Sequence, residues 1–147
     1  MSTEAESKIR GQSRHRDFSQ GDQAAIQSSL ARIMPEIGQR YWKLYYAAKA
    51  GNWALAKFQV GEIEELMDLG AIVRPKYEVE LGKFIQDDLG NIKKSIENQD
   101  FAAFEEAFQL GTRNSNNYHK LFEKPIVWKL PSSAPPDLDL TPQNSSS

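Results

Sequence analysis

Apolar residues recur every three or four positions along most of the chain, the spacing that places them on one face of an α-helix. Four such stripes are separated by short breaks near Gly51, at Arg74-Pro75 and near Asp100. The stripes are Ile26, Leu30, Ile33, Ile37, Tyr41, Leu44 and Ala48; Trp53, Ala56, Val60, Ile63, Met67 and Gly70; Tyr77, Leu81, Phe84, Ile85, Leu89, Ile92 and Ile96; and Phe101, Phe104, Phe108, Gly111, Ser115 and Tyr118. The pattern predicts an all-α fold with four helices.

The breaks carry the residues that usually end and begin helices. Gly51 suits a helix end, Asn52 and Asp100 suit the N-cap of the following helix, and Pro75 suits a first helical turn. Because such short links join antiparallel neighbours, we expect an antiparallel up-down-up-down four-helix bundle.

Pro35 lies inside the first stripe, where a proline removes one hydrogen bond and clashes with the preceding turn. Either a kink at Pro35 or a short helix followed by a new one near Glu36 satisfies this constraint. The apolar phase continues unbroken across the proline, which favours the kink.

The two ends of the chain lack helical periodicity. Residues 1–21 are polar and residues 132–147 are rich in Ser, Pro and Asp, so both ranges are predicted to be disordered tails. The bundle itself is expected over residues 22–123.

Between the bundle and the C-terminal tail, residues 124–131 (KPIVWKLP) are apolar and bounded by prolines. This composition predicts an extended strap that docks Ile126, Val127 and Trp128 over the end of the bundle. The other interpretation is a peptide that is offered to a partner, and we favour the strap.

Charge and composition exclude several classes of protein. The chain has 147 residues with 18 basic and 20 acidic side chains, a balance that does not favour nucleic acid or an anionic membrane as a partner. It contains no cysteine, which excludes disulfides, thiolate zinc sites and iron–sulfur clusters. No apolar run resembles a signal peptide or a membrane span, so a cytoplasmic protein is expected.

Four short features have a familiar arrangement. They are Met34-Pro35-Glu36-Ile37-Gly38, Tyr45-Tyr46-Ala47 followed by Gly51-Asn52-Trp53, Arg74-Pro75-Lys76-Tyr77, and the position of His119. Through them the chain resembles the four-helix-bundle cytochromes of the c-prime type over roughly residues 22–131. In that family a Cys-x-x-Cys-His motif near the end of the last helix attaches haem through both sulfurs and ligates iron through the histidine.

The corresponding stretch here is Ser115-Asn116-Asn117-Tyr118-His119. Serine and tyrosine cannot form the thioether bonds, so covalent haem is excluded and the resemblance implies the architecture without the activity. His119 is a candidate axial ligand for haem held reversibly, in redox or gas sensing. The interpretation we favour is a histidine whose charged form interacts with the helix C-terminus.

Gly111, Ser115, Tyr118 and His119 mark a candidate ligand cavity at this end of the bundle. Either a cavity remains there, or Tyr118 fills it and hydrogen-bonds to Ser115. A di-metal carboxylate site needs Glu-x-x-His pairs, and residue 116 is asparagine, so no metal is expected.

Trp42, Tyr45 and Tyr46 flank the first stripe and are predicted to form an exposed aromatic interface, which indicates a homodimer. No Ser-His-acid order, phosphate-binding glycine loop or apolar carboxylate pair indicates catalysis. The sequence therefore predicts a haem-free, non-catalytic binding or interaction module, either as a homodimer or with another protein.

Overall fold

The computed structural model describes residues 20–143, and within that range the chain is helical without any strand. Helix α1 is Gln20–Lys49, α2 is Trp53–Val73, and α4 is Phe101–Leu121. The helical run between α2 and α4 is treated as one helix, α3. The predicted all-α fold of four helices is thus confirmed.

Helix α3 changes its winding along its length. It opens with a 3-10 turn at Pro75–Tyr77, continues as α-helix at Glu78–Lys83, widens into a π-helical turn at Phe84–Leu89, and ends as α-helix at Gly90–Glu97. The wide turn is closed by a hydrogen bond from the backbone N–H of Gly90 to the carbonyl of Ile85, five residues earlier. Single π-helical turns of this kind occur often at functional sites.

Helix α1 is helical on both sides of Pro35, so no new helix begins near Glu36. The kink at Pro35 stays a prediction. Gln20, the first described residue, is already helical, so the helix includes the last two residues of the predicted N-terminal tail. Residues 1–19, and with them nearly all of the predicted N-terminal tail, lie outside the described residues.

The predicted caps are confirmed. The side chain of Asn52 accepts a hydrogen bond from the backbone N–H of Leu55, and that of Asp100 accepts one from Ala103, both at 3.1 Å. Gly51 has a φ of +76°, a left-handed conformation that glycine adopts without strain. Each N-cap of this kind stabilises its helix by about 0.5–2 kcal/mol.

One apolar core receives side chains from every helix. The largest side chains with almost no exposed surface are the polar Gln59 and seven apolar residues, Leu44, Val60, Ile63, Leu89, Ile92, Phe104 and Phe108. All seven apolar residues belong to the stripes that were predicted to face inward, and burial of each contributes about 1.5–3 kcal/mol. Burial along the α4 stripe decreases after Gly111: Ser115 and Tyr118 are only half-buried, and Tyr118 packs against the edge of the core. None of the described helices is long and apolar enough to cross a membrane.

The C-terminal segment, residues 131–143, differs from the predicted disordered tail. It is irregular, yet it packs on α1 and the start of α2, with Pro135 buried and Leu140 partly buried against the core. Its main-chain carbonyls accept hydrogen bonds from helix side chains, which holds an aperiodic segment in place. The prediction of disorder therefore does not hold for residues 132–143, while residues 144–147 lie outside the described range.

Replacing Gly111 with alanine tests how tightly α1 and α4 approach. A Cβ at Gly111 would lie 2.8 Å from the Tyr41 hydroxyl oxygen, too close for an unperturbed side chain. Overpacking of this kind costs about 1–3 kcal/mol, partly offset by the helix preference of alanine, about 1 kcal/mol. We expect Gly111→Ala to lower the free energy of unfolding in urea.

The matched control is Gly61→Ala in α2, where an added Cβ meets no atom within 4 Å. There the helix preference acts alone, and we expect a gain of roughly 0.5–1 kcal/mol. Equal stabilisation by both substitutions would show that the space beside Gly111 is open.

Candidate functional site

The space beside Gly111 is filled by Tyr41 of α1. The Tyr41 hydroxyl donates a hydrogen bond of 2.8 Å to the carbonyl oxygen of Phe108, and its ring stacks on the Phe108 ring at 4.1 Å between centroids. The Thr112 hydroxyl also donates to the Phe108 carbonyl, at 2.9 Å. Burial raises the pKa of Tyr41 well above its usual range, so its hydroxyl stays a hydrogen-bond donor.

Trp128 closes the same site from outside. Its ring lies 5.2 Å from the Tyr41 ring, edge to face, and a Cβ on Gly38 would come within 3.0 Å of its indole nitrogen. The side chain of Asn116 clamps the main chain of Trp128, accepting from its N–H at 2.8 Å and donating to its carbonyl at 3.1 Å. The strap was predicted to dock Ile126, Val127 and Trp128 over the end of the bundle, and in the structure Trp128 packs against α1 and α4.

The same prediction is wrong for the two residues before the tryptophan. Ile126 is 53% exposed and Val127 is 79% exposed, so neither packs over the end of the helices. The clamp from Asn116 fixes one residue of the strap, and the alternating direction of side chains in an extended segment turns its neighbour Val127 away from the core.

His119 contacts the strap. Its Nδ1 lies 3.1 Å from the carbonyl oxygen of Ile126, and because a carbonyl only accepts, Nδ1 carries the proton and donates. Ser115 and Tyr118, the other predicted cavity residues, are half-buried, and the predicted hydrogen bond between them is not among those that the described residues make. Among the residues that the structure describes, no group of three His, Cys, Asp or Glu could hold a metal ion.

A buried carboxylate that the sequence pattern does not predict lies next to this site. Asp88 lies in the π-helical turn of α3 and is only 4% exposed, and its Oδ1 accepts a 2.8 Å hydrogen bond from the Asn114 side chain of α4. Burial raises the pKa of Asp88, and the neighbouring Asp87 raises it further, while the bond from Asn114 acts in the opposite direction. Burial and then Asp88 also raise the pKa of Tyr118.

The predicted aromatic interface is covered by the chain itself. Tyr45 and Tyr46 are each 9% exposed. The Tyr46 hydroxyl donates to the carbonyl of Pro131 at 2.8 Å, and the Trp42 indole nitrogen donates to the carbonyl of Ser133 at 2.9 Å. An exposed aromatic patch at these residues was therefore a wrong expectation, since the C-terminal segment lies on it.

Tyr45 is covered from the other side, by α4. Its hydroxyl donates a 2.6 Å hydrogen bond to Oε2 of Glu105, and burial together with this carboxylate raises the pKa of Tyr45 to about 12. A phenol at that pKa stays protonated at neutral pH, so the bond joins α1 to α4.

Further contacts bind the C-terminal segment along the corner between α1 and α2. The Asn52 side-chain amide lies 3.3 Å from the carbonyl of Leu140, and Lys43 pairs with Asp137 at 3.6 Å. We call the face formed by Trp42, Lys43, Tyr46 and Asn52 the C-segment face. Its polar contacts all reach main-chain carbonyls of the segment, except for the ion pair at Asp137.

Two surface cavities lie away from the Gly111 site. One of about 490 Å³ runs along α2 beside Phe58 and Gly61, and one of about 560 Å³ lies between the α1–α2 turn and the end of the C-terminal segment. Neither is lined by any of the four predicted cavity residues.

Comparison with known proteins adds no assignment: no protein-family model, no curated protein and no solved structure matches this chain.

Replacing Asp88 with asparagine should change how stability depends on pH. Because the pKa of Asp88 is raised from 3.8 on folding, its stabilising contribution is complete below about pH 3.8 and is lost as pH rises through the raised value. Asparagine keeps an acceptor for Asn114 and never ionises. We expect the stability of Asp88→Asn relative to the native chain to increase from acid to neutral pH in urea unfolding.

The control is Glu97→Gln, which removes a carboxylate from an exposed position on the same helix. Parallel pH profiles for the native chain and Asp88→Asn would contradict the raised pKa.

Proposed function

We propose that the protein is a haem-free, non-catalytic relative of the c-prime-type cytochromes, an antiparallel up-down-up-down bundle that works by binding protein segments. The observation that carries the proposal is the C-segment face, where side chains of the helices hold a proline-rich segment by its main chain. The cytoplasmic location stays a prediction of the sequence.

The chemistry of this face is that of peptide recognition. Indole, phenol and amide groups donate to carbonyl oxygens of a segment in which four residues are proline, at 131, 135, 136 and 142. Proline has no N–H, so a proline-rich segment stays extended and its carbonyl oxygens make no hydrogen bonds within a helix or sheet. Aromatic side chains that donate to such carbonyls are therefore a recurring means of binding proline-rich peptides. The ion pair of the partly exposed Lys43 with the exposed Asp137 contributes only about 0–1 kcal/mol.

The homodimer predicted from the sequence takes a definite form in this proposal. Because each copy covers its own Trp42 and Tyr46, two copies can pair through this face only by exchanging their C-terminal segments. The exchanged contacts would be the same as those within one copy, so exchange needs no new complementarity.

Removing the C-terminal segment tests the proposal. A chain that ends at Leu130 should bind a labelled peptide of residues 131–143 saturably, as measured by fluorescence anisotropy. The full-length chain should bind it far more weakly, because its own segment competes at an effective concentration of about a millimolar. Trp42→Phe in the shortened chain removes the indole donor to Ser133 and should weaken binding roughly two- to tenfold.

A peptide of the same composition in scrambled order is the control. The proposal fails if the native peptide does not bind to a shortened chain that circular dichroism shows to be helical.

Reversible haem binding through His119 is the second candidate, and one observation favours it. Nδ1 of His119 donates to the Ile126 carbonyl, which leaves Nε2 unprotonated in the neutral ring. A second hydrogen bond of this kind is how proteins orient a histidine that ligates a metal. Against it, Tyr41 and Trp128 occupy the interior next to Gly111, and haem would have to displace the tryptophan.

Absorbance separates the two candidates. Hemin added to the purified full-length protein should give no saturable Soret shift, because the interior is already filled. A saturable shift that His119→Ala abolishes, and that His15→Ala leaves unchanged, would establish haem binding and displace the first proposal. His15 is the matched control because the chain has only two histidines.

A further inference from the structure

Tyr77 lies where the beginning of α3 meets the end of α4, away from the C-segment face. Its side chain is 7% exposed, and the ring of Phe122 packs edge-on against it at 4.6 Å between centroids. The hydroxyl oxygen is buried and makes no close hydrogen bond among the described residues. The polar groups next to it are the ammonium groups of Lys124 and Lys76, which only donate, so the hydrogen of the hydroxyl has no acceptor among them. A buried phenol usually finds a partner, so an unpaired one needs a physical explanation.

Three cations surround this single ring. The ammonium nitrogen of Lys76 lies 5.1 Å from the ring centroid, the guanidinium carbon of Arg74 lies 5.7 Å from it, and the ammonium nitrogen of Lys124 lies 6.0 Å from it. One cation over an aromatic ring is favourable, whereas like charges gathered around the same ring also repel one another.

The hydroxyl feels the same positive field. Burial raises the pKa of Tyr77, but Lys124 and Lys76 lower it by more, and the result lies below the usual value. The local environment thus favours a negative charge at the position of the phenol oxygen.

The donors and acceptors of the cluster do not balance. Lysine ammonium and arginine guanidinium groups only donate, and the phenol adds one more donor. An acceptor that carries negative charge and several oxygens would satisfy all four groups at once and remove the repulsion among the three cations.

We propose that Arg74, Lys76, Tyr77 and Lys124 form a binding site for a phosphate group, either free phosphate or a small phosphate monoester. Its oxygens would accept from the arginine fork, from the two ammonium groups and from the Tyr77 hydroxyl. The site is separate from the C-segment face and from the interior beside Gly111. Through it the protein would bind a small molecule in addition to a protein segment.

The geometry permits entry from solvent. Lys76 and Lys124 are exposed, and their long side chains can move outward to admit an anion over the hydroxyl. Pro75 restrains the backbone of the 3-10 turn that carries Lys76 and Tyr77, so the ring and the turn are held in place before the ligand arrives.

The test uses the full-length, isotope-labelled protein and two probes, inorganic phosphate and glycerol phosphate. Each is added at constant ionic strength, with chloride replaced in step, while backbone amide shifts are followed by NMR. We expect saturable shifts confined to residues near 74–78 and 122–124 with at least one probe. The probe that binds more tightly identifies free phosphate or the monoester as the better ligand.

Four variants assign the contacts. Lys76→Gln and Lys124→Gln should each weaken binding about tenfold, because each removes a charge-assisted hydrogen bond. Tyr77→Phe keeps the ring and removes only the hydroxyl donor, and it should weaken binding severalfold. Lys120→Gln, an exposed lysine of the last turn of α4, is the control and should leave the affinity unchanged.

The proposal is overturned if the shifts do not saturate, if chloride alone reproduces them, or if Lys120→Gln weakens binding as much as Lys124→Gln does. Unchanged affinity in Tyr77→Phe would equally overturn it, since the unpaired hydroxyl is the feature that distinguishes this cluster from an ordinary basic surface. None of these outcomes depends on binding at the C-segment face.

Discussion

The contact between Tyr41 and the backbone of α4 is the constraint on which the rest of the structure depends. The hydroxyl reaches the Phe108 carbonyl only because Gly111 leaves room for it, and the ring then stacks on Phe108 in the centre of the core. A buried phenol without this acceptor would cost about 1–3 kcal/mol. Tyr41 therefore fixes how closely α1 and α4 approach, and it fills the space beside Gly111.

The residues after α4 complete this arrangement. The ring of Trp128 packs edge to face against that of Tyr41, and the following C-terminal segment lies on Trp42 and Tyr46 of the same helix. One face of α1 thus contributes Tyr41 to the aromatic centre of the core, and the adjacent face binds the C-terminal segment. Displacing the segment would uncover polar donors and aromatic surface together, which is why we assign the interaction role to this face and a structural role to the Gly111 site.

Much of the fold could be predicted from the sequence because it depends on local, periodic signals. The stripes predicted the helices and most of the buried positions, and the caps at Asn52 and Asp100 followed from residue type. Asp88 could not be predicted, since the π-helical turn alters the phase of α3 just where that carboxylate turns inward. The docking of residues 131–143 could not be predicted from the sequence either. The helix side chains donate to main-chain carbonyls of this segment, and every residue has such a carbonyl, whatever its type.

The chain fills the interior beside Gly111 with its own Tyr41 and Trp128. Nuclear Overhauser effects from the Trp128 indole in the ligand-free, full-length protein test this packing. We expect cross-peaks from the indole N–H to the α-protons of Gly38, and from the indole ring to the ring of Tyr41. A Trp128 indole that shows no such cross-peaks and exchanges its N–H freely with water would contradict it.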